Sequence, residues 1–460
     1  MRGKAMKKNE TYHLIGLGGI GMSALARILL QRGYPVQGSD AVFSPLLGQL
    51  QKEGAVVFVG HNADVLTPGI TVVVSSGIKP DNVEIAKAKE LNLPILHRSD
   101  LLDLLMCSQK ALLVTGTHGK TTTSALLAAV LMEASMDPSF VVGGILRALN
   151  TNGQAGAGAY FVAEADESDG SFLKTAPFGA IVTNLENDHL DYWGTEEKLN
   201  KAFERFFEIS KNLKHLFWCR DDPRLLALGP KGVSYGFSPL SAALISHFEQ
   251  SDQGIAFDLS FQEIQYRKIE LSLLGRHNAL NGAAVFGLAR SLDVPEEAIR
   301  RAFQKFSGTA RRLECKGQLS QLTLYDDYGH HPTEIAVTLL ALREKYKNAR
   351  LVAIFQPHRY TRVRDLFDSF PDCFECADEV ILTDIYGAGE APIEGITSAA
   401  LHAKMKERLG AKVHFIPRAQ LIEGVARHLK QRDVAITLGA GDITHTGGPI
   451  LECFNQLRIS

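Results

Sequence analysis

The sequence predicts an α/β protein of three consecutive domains: a Rossmann-like N-terminal domain, a central domain like that of phosphate-loop ATPases, and a Rossmann-like C-terminal domain. Three observations predict it. Short apolar runs alternate with helical patterns along nearly the whole chain, the order that gives parallel βαβ units. Polar and glycine-rich clusters fall just beyond the carboxyl ends of those runs, where open α/β sheets bind ligands. The length of 460 residues matches about three domains at roughly 150 residues each.

The first segment, 1–108, opens with an apolar run at 12–15 that ends in GLGGIG (16–21) and leads into the helical pattern MSALARILLQRG. Strands follow at 35–40, 55–60 and 70–77, and a helix at 100–109. The second segment, 109–311, starts on a strand at 111–116. Further strands are expected at 159–166, 178–184 and 214–222, and helices at 197–208 and 277–292. Residues 238–262 read as antiparallel strand material inserted in this domain. The segment ends beyond the helical EEAIRRAFQKF, near Arg311. The third, 312–460, has a strand at 323–329, a helix at 333–346, a strand at 350–358 and strand-to-loop junctions at 378–390 and 433–443. FDSFPDCFECADE (367–379) also reads as helical.

Composition excludes several classes. Apolar residues are 45% and charged residues 22%, which excludes a mainly disordered, fibrous or coiled-coil chain. A net charge of −2 gives no global case for nucleic acid or an acidic membrane surface. An apolar run of eight residues at 125–132 is far short of the ~20 a membrane span needs. The basic opening MRGKAMKKNE has no apolar run behind it for a signal peptide and reads as a frayed tail, with Met6 as a second possible start. Six scattered cysteines (107, 219, 315, 373, 376, 453) do not form a disulfide framework. Cys373 and Cys376 make a lone CxxC, read as ordinary packing. A reducing cytoplasm and a monomer or weak homodimer are expected.

GTHGKTTT (116–123) is the strongest motif, since it follows a strand and precedes a helix. Gly116, Thr117, His118, Gly119, Lys120, Thr121 and Thr122 would cradle phosphates with backbone N–H groups and the positive helix end. Lys120 would bridge the β- and γ-phosphates and Thr121 would offer its hydroxyl to Mg²⁺. The spacing is GxxGKT, two residues shorter than the common loop. GLGGIG with Asp40, 19 residues past Gly21, fits a diphosphate on a helix N-terminus, though a tight βα turn would use the same glycines. EADESDG (164–170) and NLENDHLDYWG (184–194) put acids at strand ends beside the phosphate loop. Glu164 and His189 are the candidate metal ligands, the imidazole being the softer one. GRHNALN places His277, Asn278 and Asn281 at a helix start, to read an adenine edge or to cap the helix. DDYGHHPTE (326–334) and FQPHRYTR (355–362) follow two strands of the third segment. If the second is helical, Arg359 and Arg362 face one carboxylate or phosphate. Asp326, Asp327, His330 and His331 would otherwise form a metal site or a surface ion-pair cluster.

Taken in order, HLIGLGGIGMSALA, GTHGKTTT, EADESDGSFL, NDHLDYWG, GRHNALN, DDYGHHPTEI, FQPHRYTR and LGAGDI resemble the Mur ligases over residues 12–446. The resemblance implies an ATP-dependent ligase with Mg²⁺ that joins L-alanine to UDP-N-acetylmuramate; a ligase recycling murein tripeptide onto the same sugar is the alternative. It implies that Gly18, Gly19, Ile20, Asp40, His61, Ser75, Ser76 and Arg98 line the UDP-sugar site. Lys120, Thr121, Glu164 and His189 would surround phosphate and Mg²⁺, and His277, Asn278, Asn281, Arg311 and Asp327 the nucleoside. Tyr328, His330, His358, Arg359 and Arg362 would meet L-alanine and the reacting carboxylate, with His330 or His358 taking the amine proton. The catalytic set is then Lys120, Glu164, His189, His330, Arg359 and Arg362, and the third domain would close over the other two. Several relatives hold a second Mg²⁺ on a carbamylated lysine; gap-free counting puts Glu204 there, with Lys198 and Lys201 on the same stretch. Two other classes compete. An NAD-dependent oxidoreductase rests on GLGGIG and Asp40 but leaves GTHGKTTT without a role, and a non-catalytic nucleotide-binding regulator would bind ATP without amino-acid-dependent phosphate release.

Overall fold

The computed structural model describes residues 10–319 and 321–459; the expectations for the tail and Met6 lie outside them. Three sheets follow one another along the chain. The first contains β1 (Thr11–Ile15), β2 (Val36–Asp40), β3 (Val56–Val59), β4 (Ile70–Val74) and β5 (Ile95–His97) in the order β3-β2-β1-β4-β5. Each neighbouring pair is parallel. Strand order reverses direction at β1, which sets a ligand crevice beyond its carboxyl end. There the chain turns through GLGGIG into the helix Ile20–Gln31.

The second sheet has ten strands: β6 (Lys110–Thr115), β7 (Ser139–Leu146), β8 (Thr151–Gln154), β9 (Tyr160–Glu164), β10 (Gly179–Val182), β11 (Leu216–Cys219), β12 (Val233–Gly236), β13 (Ala243–Ser251), β14 (Gly254–Phe261) and β15 (Ile264–Leu271). Their order is β15-β14-β13-β12-β11-β10-β6-β9-β7-β8. β6 lies between β10 and β9, parallel to both, so the phosphate loop leaves the middle of the sheet. The strands predicted as an insert, β13 to β15, extend this sheet: β13 pairs parallel with β12 through Tyr235↔Ala243 and Gly236↔Leu244. β13, β14 and β15 are joined by two-residue turns, the connection that antiparallel neighbours use.

The third sheet has β16 (Glu314–Leu319), β17 (Leu322–Asp327), β18 (Leu351–Phe355), β19 (Glu379–Leu382), β20 (Val413–Phe415) and β21 (Val434–Leu438) in the order β16-β17-β21-β18-β19-β20. Only the hairpin β16–β17 is antiparallel. Both faces are covered, and the two-residue period divides the strands between them. Leu351, Ala353, Phe355, Ile436 and Leu438 enter one core, and Val352, Ile354 and Ala435 the other. The stretch 367–379, expected to be helical, is a run of turns with one 3-10 turn at Asp372–Phe374. Pro371 precedes that turn and removes a backbone donor that a continuing helix would need. Cys373 and Cys376 are free thiols.

The chain forms two compact units. The first two sheets share one; the second holds the chain from Gly308 onward together with Glu249–Ile255 and Leu273–Asn278. Inside the first unit the helix Ile20–Gln31 lies against β8. Asn152 donates to Ile20 O and Ser23 Oγ, and buried Arg27 donates to Asn152 and, at 3.0 Å, to Glu53. A Cβ on Gly153 would stand 2.7 Å from Ala24 O, so only glycine permits this approach. The glycine loop of the first sheet is thereby fixed relative to the phosphate loop of the second. No helix among the described residues is long and apolar enough to cross a membrane.

Candidate functional site

In the first sheet, Gly18 N–H donates to Asp40 Oδ2 at 2.9 Å, so the acid at the end of β2 braces the glycine loop. Gly19 caps the helix Ile20–Gln31 without a side-chain bond, and Ile20 is exposed at its start. His61 Nδ1 lies 3.0 Å from Ser39 Oγ. Ser75 O accepts the Ile78 N–H. Ser76 Oγ donates to Asp169 at 2.9 Å, and Arg98 donates to Asp166 at 2.7 Å. A Cβ on Gly21 would lie 3.5 Å from the Arg98 guanidinium. The eight residues expected at the UDP-sugar thus share the carboxyl edge of the first sheet, where Ser76 and Arg98 also hold the loop after β9.

The phosphate loop is built on two left-handed glycines, Gly116 (φ +125°) and Gly119 (φ +81°). Gly116 has no room for a side chain: a Cβ would stand 2.2 Å from Thr183 Oγ1. His118 N–H donates to Asn184 Oδ1 at 2.8 Å, and Thr183 Oγ1 and Asn184 Nδ2 donate to His118 O. Gly119 caps the helix Lys120–Glu133 with no side-chain bond, and its neighbour is the Asn281 amide, 3.1 Å from a notional Cβ. Lys120 Nζ donates to Gly116 O at 2.6 Å and to Glu167 at 2.8 and 2.9 Å. Burial works to lower the Lys120 pKa, but the carboxylates of Glu167, Asp166 and Glu164 outweigh it and hold the ammonium charged.

Two of the expected metal ligands meet. Thr121 Oγ1 donates to Glu164 at 3.3 Å, and Glu164 also accepts from Ser124 and the Gly143 N–H. Burial raises the Glu164 pKa, against its hydrogen bonds and Lys120. A half-buried carboxylate beside a hydroxyl is a hard-oxygen set that fits Mg²⁺. His189, in a left-handed conformation at φ +58°, faces Glu167 at 3.7 Å and Asp188 at 3.5 Å. Glu167 is the residue that sequence reasoning missed. Its carboxylate is buried between Lys120 and His189, and its carbonyl accepts the Trp193 indole N–H at 3.0 Å. Glu204, Lys198 and Lys201 are exposed on the far side of the helix Glu196–Ile209. Glu167 is therefore a buried carboxylate at the site, whereas Glu204 faces solvent.

In the second unit, Asn278 Nδ2 donates to Leu274 O at 2.7 Å and lies 3.0 Å from His277 Nε2, so this amide builds the turn that starts the helix. Asp327 accepts the N–H groups of Leu313 and Gly329, both at 2.7 Å. Arg311 donates to Gly439 O at 2.6 Å, and its guanidinium lies 4.9 Å from the Tyr328 ring centroid. His330 Nδ1 is 3.5 Å from Glu334, and its ring is 6.0 Å from that of His358. His358 stacks on Tyr386 and lies 3.3 Å from Arg362 Nη1. Asp327, Tyr328, His330, His358 and Arg362 lie at and just beyond the carboxyl ends of β17 and β18 in the third sheet.

Two expectations are corrected here. Arg359 does not share a helical face with Arg362: the helix is Tyr360–Asp365, and Arg359 precedes it at φ +67°, ψ 133°. The alternative metal set around Asp326 is not assembled either. Asp326 is buried and accepts the Thr437 and Thr444 hydroxyls, and His331 caps the helix Pro332–Lys345.

His358 is also a poor proton acceptor. Burial, then His330, Arg362, Arg359 and Arg311, push it down to about 3. Burial with Arg312 takes His277 down to about 4. Both imidazoles stay neutral in the fold while an unfolded histidine takes a proton below about 6.5. His277 therefore removes stability as the pH falls from about 6.5 through 4, and His358 as it falls from about 6.5 through 3. Asp327, pushed up to about 6 by burial, acts the other way, removing stability as the pH rises from about 3.9 to 6. In urea titrations at pH 6.5 and 4.5, His358→Gln should lose less stability on acidification than the parent chain; an equal loss in both would refute the assignment.

Comparison with known proteins follows the same three-part division. Profiles described as the Mur ligase family catalytic domain, the Mur ligase middle domain and the Mur ligase glutamate ligase domain match residues 11–110, 114–289 and 311–441. A UDP-N-acetylmuramate–L-alanine ligase of Protochlamydia amoebophila is 48% identical over 442 residues, covering 96% of this chain and 97% of that protein. A bifunctional MurC/Ddl enzyme of Chlamydia pneumoniae is 41% identical over 99% of this chain and 56% of its own longer one. The crystal structure of a UDP-N-acetylmuramate–alanine ligase from Thermotoga maritima matches with a TM-score of 0.84 at 28% identity, covering 97% of this chain and 99% of that one.

Proposed function

The chain belongs to the Mur ligase family, and we infer that it is the ATP-dependent ligase joining L-alanine to the lactyl carboxylate of UDP-N-acetylmuramate. The observation that carries the chemistry is the charged Lys120, held at the mouth of a glycine loop on a helix N-terminus and paired with the buried carboxylate of Glu167. The 48% identity to an L-alanine ligase over nearly the whole chain supports the acceptor.

A carboxylate resists an amine because its charge repels the nucleophile and oxide is a poor leaving group. Transfer of the γ-phosphoryl group to the lactyl oxygen releases ADP and leaves an acyl phosphate. The alanine amine adds to its carbonyl carbon, and the tetrahedral intermediate expels phosphate. The first step brings two anions together, so fixed positive charge decides its rate. Lys120 supplies that charge, with the N–H groups of the loop and of the first helical turn. Thr121 and Glu164 are the side chains that would hold Mg²⁺, which adds charge neutralisation between the phosphates when bound. On the sugar side we assign Gly18, Gly19, Ile20, Asp40, His61, Ser75, Ser76 and Arg98. Tyr328, His330, Arg359 and Arg362 are assigned to L-alanine and the reacting carboxylate. His330, beside Glu334, is favoured as the proton acceptor because His358 is held neutral at a low pKa. The domain division at 108 and 311, a monomer or weak homodimer, and a reducing cytoplasm suited to six free cysteines complete the reading.

The test is phosphate release from ATP and Mg²⁺ with UDP-N-acetylmuramate, against single amino acids and L-Ala-γ-D-Glu-meso-diaminopimelate. Release is expected only when UDP-N-acetylmuramate and L-alanine are both present. Release with the tripeptide alone would move the chain to the recycling reaction, and no release with any acceptor would remove the ligase reading.

A further inference from the structure

At the opposite edge of the third sheet from His358 and Asp327, three side chains converge that the reaction does not use. Glu379 opens β19, His414 lies in the edge strand β20, and His428 ends the helix Leu421–His428. Glu379 Oε2 is 2.7 Å from His414 Nε2 and 3.5 Å from His428 Nε2. One donor atom from each residue lies within 4.8 Å of the other two. The imidazole rings stand 4.7 Å apart and are tilted, not stacked.

We propose that Glu379, His414 and His428 form a binding site for a divalent transition-metal ion of the zinc class, separate from the Mg²⁺ position at the phosphate loop. Ligands at about 2.0–2.1 Å from a tetrahedral ion lie roughly 3.4 Å from one another. The spacings of 2.7 and 3.5 Å bracket that value. Two imidazoles and one carboxylate suit zinc, cobalt or nickel, whereas Mg²⁺ demands oxygen.

Arg350 completes the environment. Its Nη2 lies 3.3 Å from Glu379 Oε1, the oxygen that does not face the histidines. The same nitrogen is 3.1 Å from His428 Nε2 and must swing aside for an ion to bind there. It can do so without being stranded, because Nη1 is already paired with buried Asp433 at 2.9 Å. Three separate elements supply the ligands, one of them an edge strand. A bound ion would therefore pin β20 and the end of the helix Leu421–His428 onto β19.

Metal-free full-length chain, with saturating Mg²⁺ present to occupy the oxygen sites, is titrated with Co²⁺ and the visible spectrum followed. One equivalent giving the intense tetrahedral Co²⁺ absorption, displaced by Zn²⁺, is expected, as is a melting temperature that rises with Zn²⁺ concentration. Glu379→Gln, His414→Ala and His428→Ala should each abolish the absorption and weaken binding about tenfold or more. Their cooperative thermal unfolding without added Zn²⁺ reports that each is folded. Absence of the absorption in the parent chain, or its persistence in all three variants, overturns the proposal. Failure of phosphate release in the parent chain would strike the ligase reading alone, since the spectrum needs no turnover.

Discussion

Lys120→Ala should lower amino-acid-dependent phosphate release by at least about 10²–10³-fold, to below measurable turnover. The ammonium is the fixed positive charge nearest the loop, and a neutral methyl group cannot offset two anions meeting. A second consequence separates chemistry from folding. Lys120 is also the ion-pair partner of Glu167, whose side chain is 2% exposed. Removing one member of a buried pair costs about 3–5 kcal/mol, so Lys120→Ala should also be less stable. Adding Glu167→Gln removes the stranded charge, so the double variant should regain much of that stability in urea titrations and none of the turnover. Turnover within tenfold of the parent chain in Lys120→Ala would sink the assignment. Stability unchanged in the single variant would show that Glu167 is not an ionised partner.

Arg359 gives the second large effect. At φ +67° and ψ 133° it occupies a region that residues with a Cβ rarely adopt, at a cost of about 1–3 kcal/mol. The conformation is imposed by backbone pairing: Arg359 N–H donates to Tyr386 O, and Tyr386 N–H donates to Pro357 O, both at 2.8 Å. Strain kept by such pairing beside a candidate site suggests that the guanidinium position matters. Arg359→Gly and Arg359→Ala both remove the charge, and both should lower turnover by about 10²-fold or more. Only glycine relieves the backbone. The glycine variant should therefore be the more stable by about 1 kcal/mol, measured by urea unfolding. Equal stability would remove the strain argument, and near-normal turnover in either variant would remove the catalytic one.

What could be read from the chain alone was local. The phosphate loop, the glycine loop and their flanking strands are contiguous patterns, and each carries its conformational requirement within a few residues. Thr121 and Glu164 were also legible, because one lies in the loop and the other ends a strand. Glu167 was not. It sits in the non-periodic stretch after β9, where no repeat indicates direction, and its partner Lys120 is 47 positions away. The pairing of Arg359 with Arg362 failed for a related reason: it required a helix that includes Arg359, whereas the helix starts one residue later, at Tyr360.

The sequence by itself determined three α/β sheets and the junctions at their carboxyl edges, because hydrophobic period and turn chemistry act over short ranges. Only the tertiary structure decided which acid meets Lys120, which histidine loses its proton affinity, and that Glu379, His414 and His428 stand together. Those outcomes depend on burial and on charges brought close by packing, and desolvation has no signature in the order of residues along a chain.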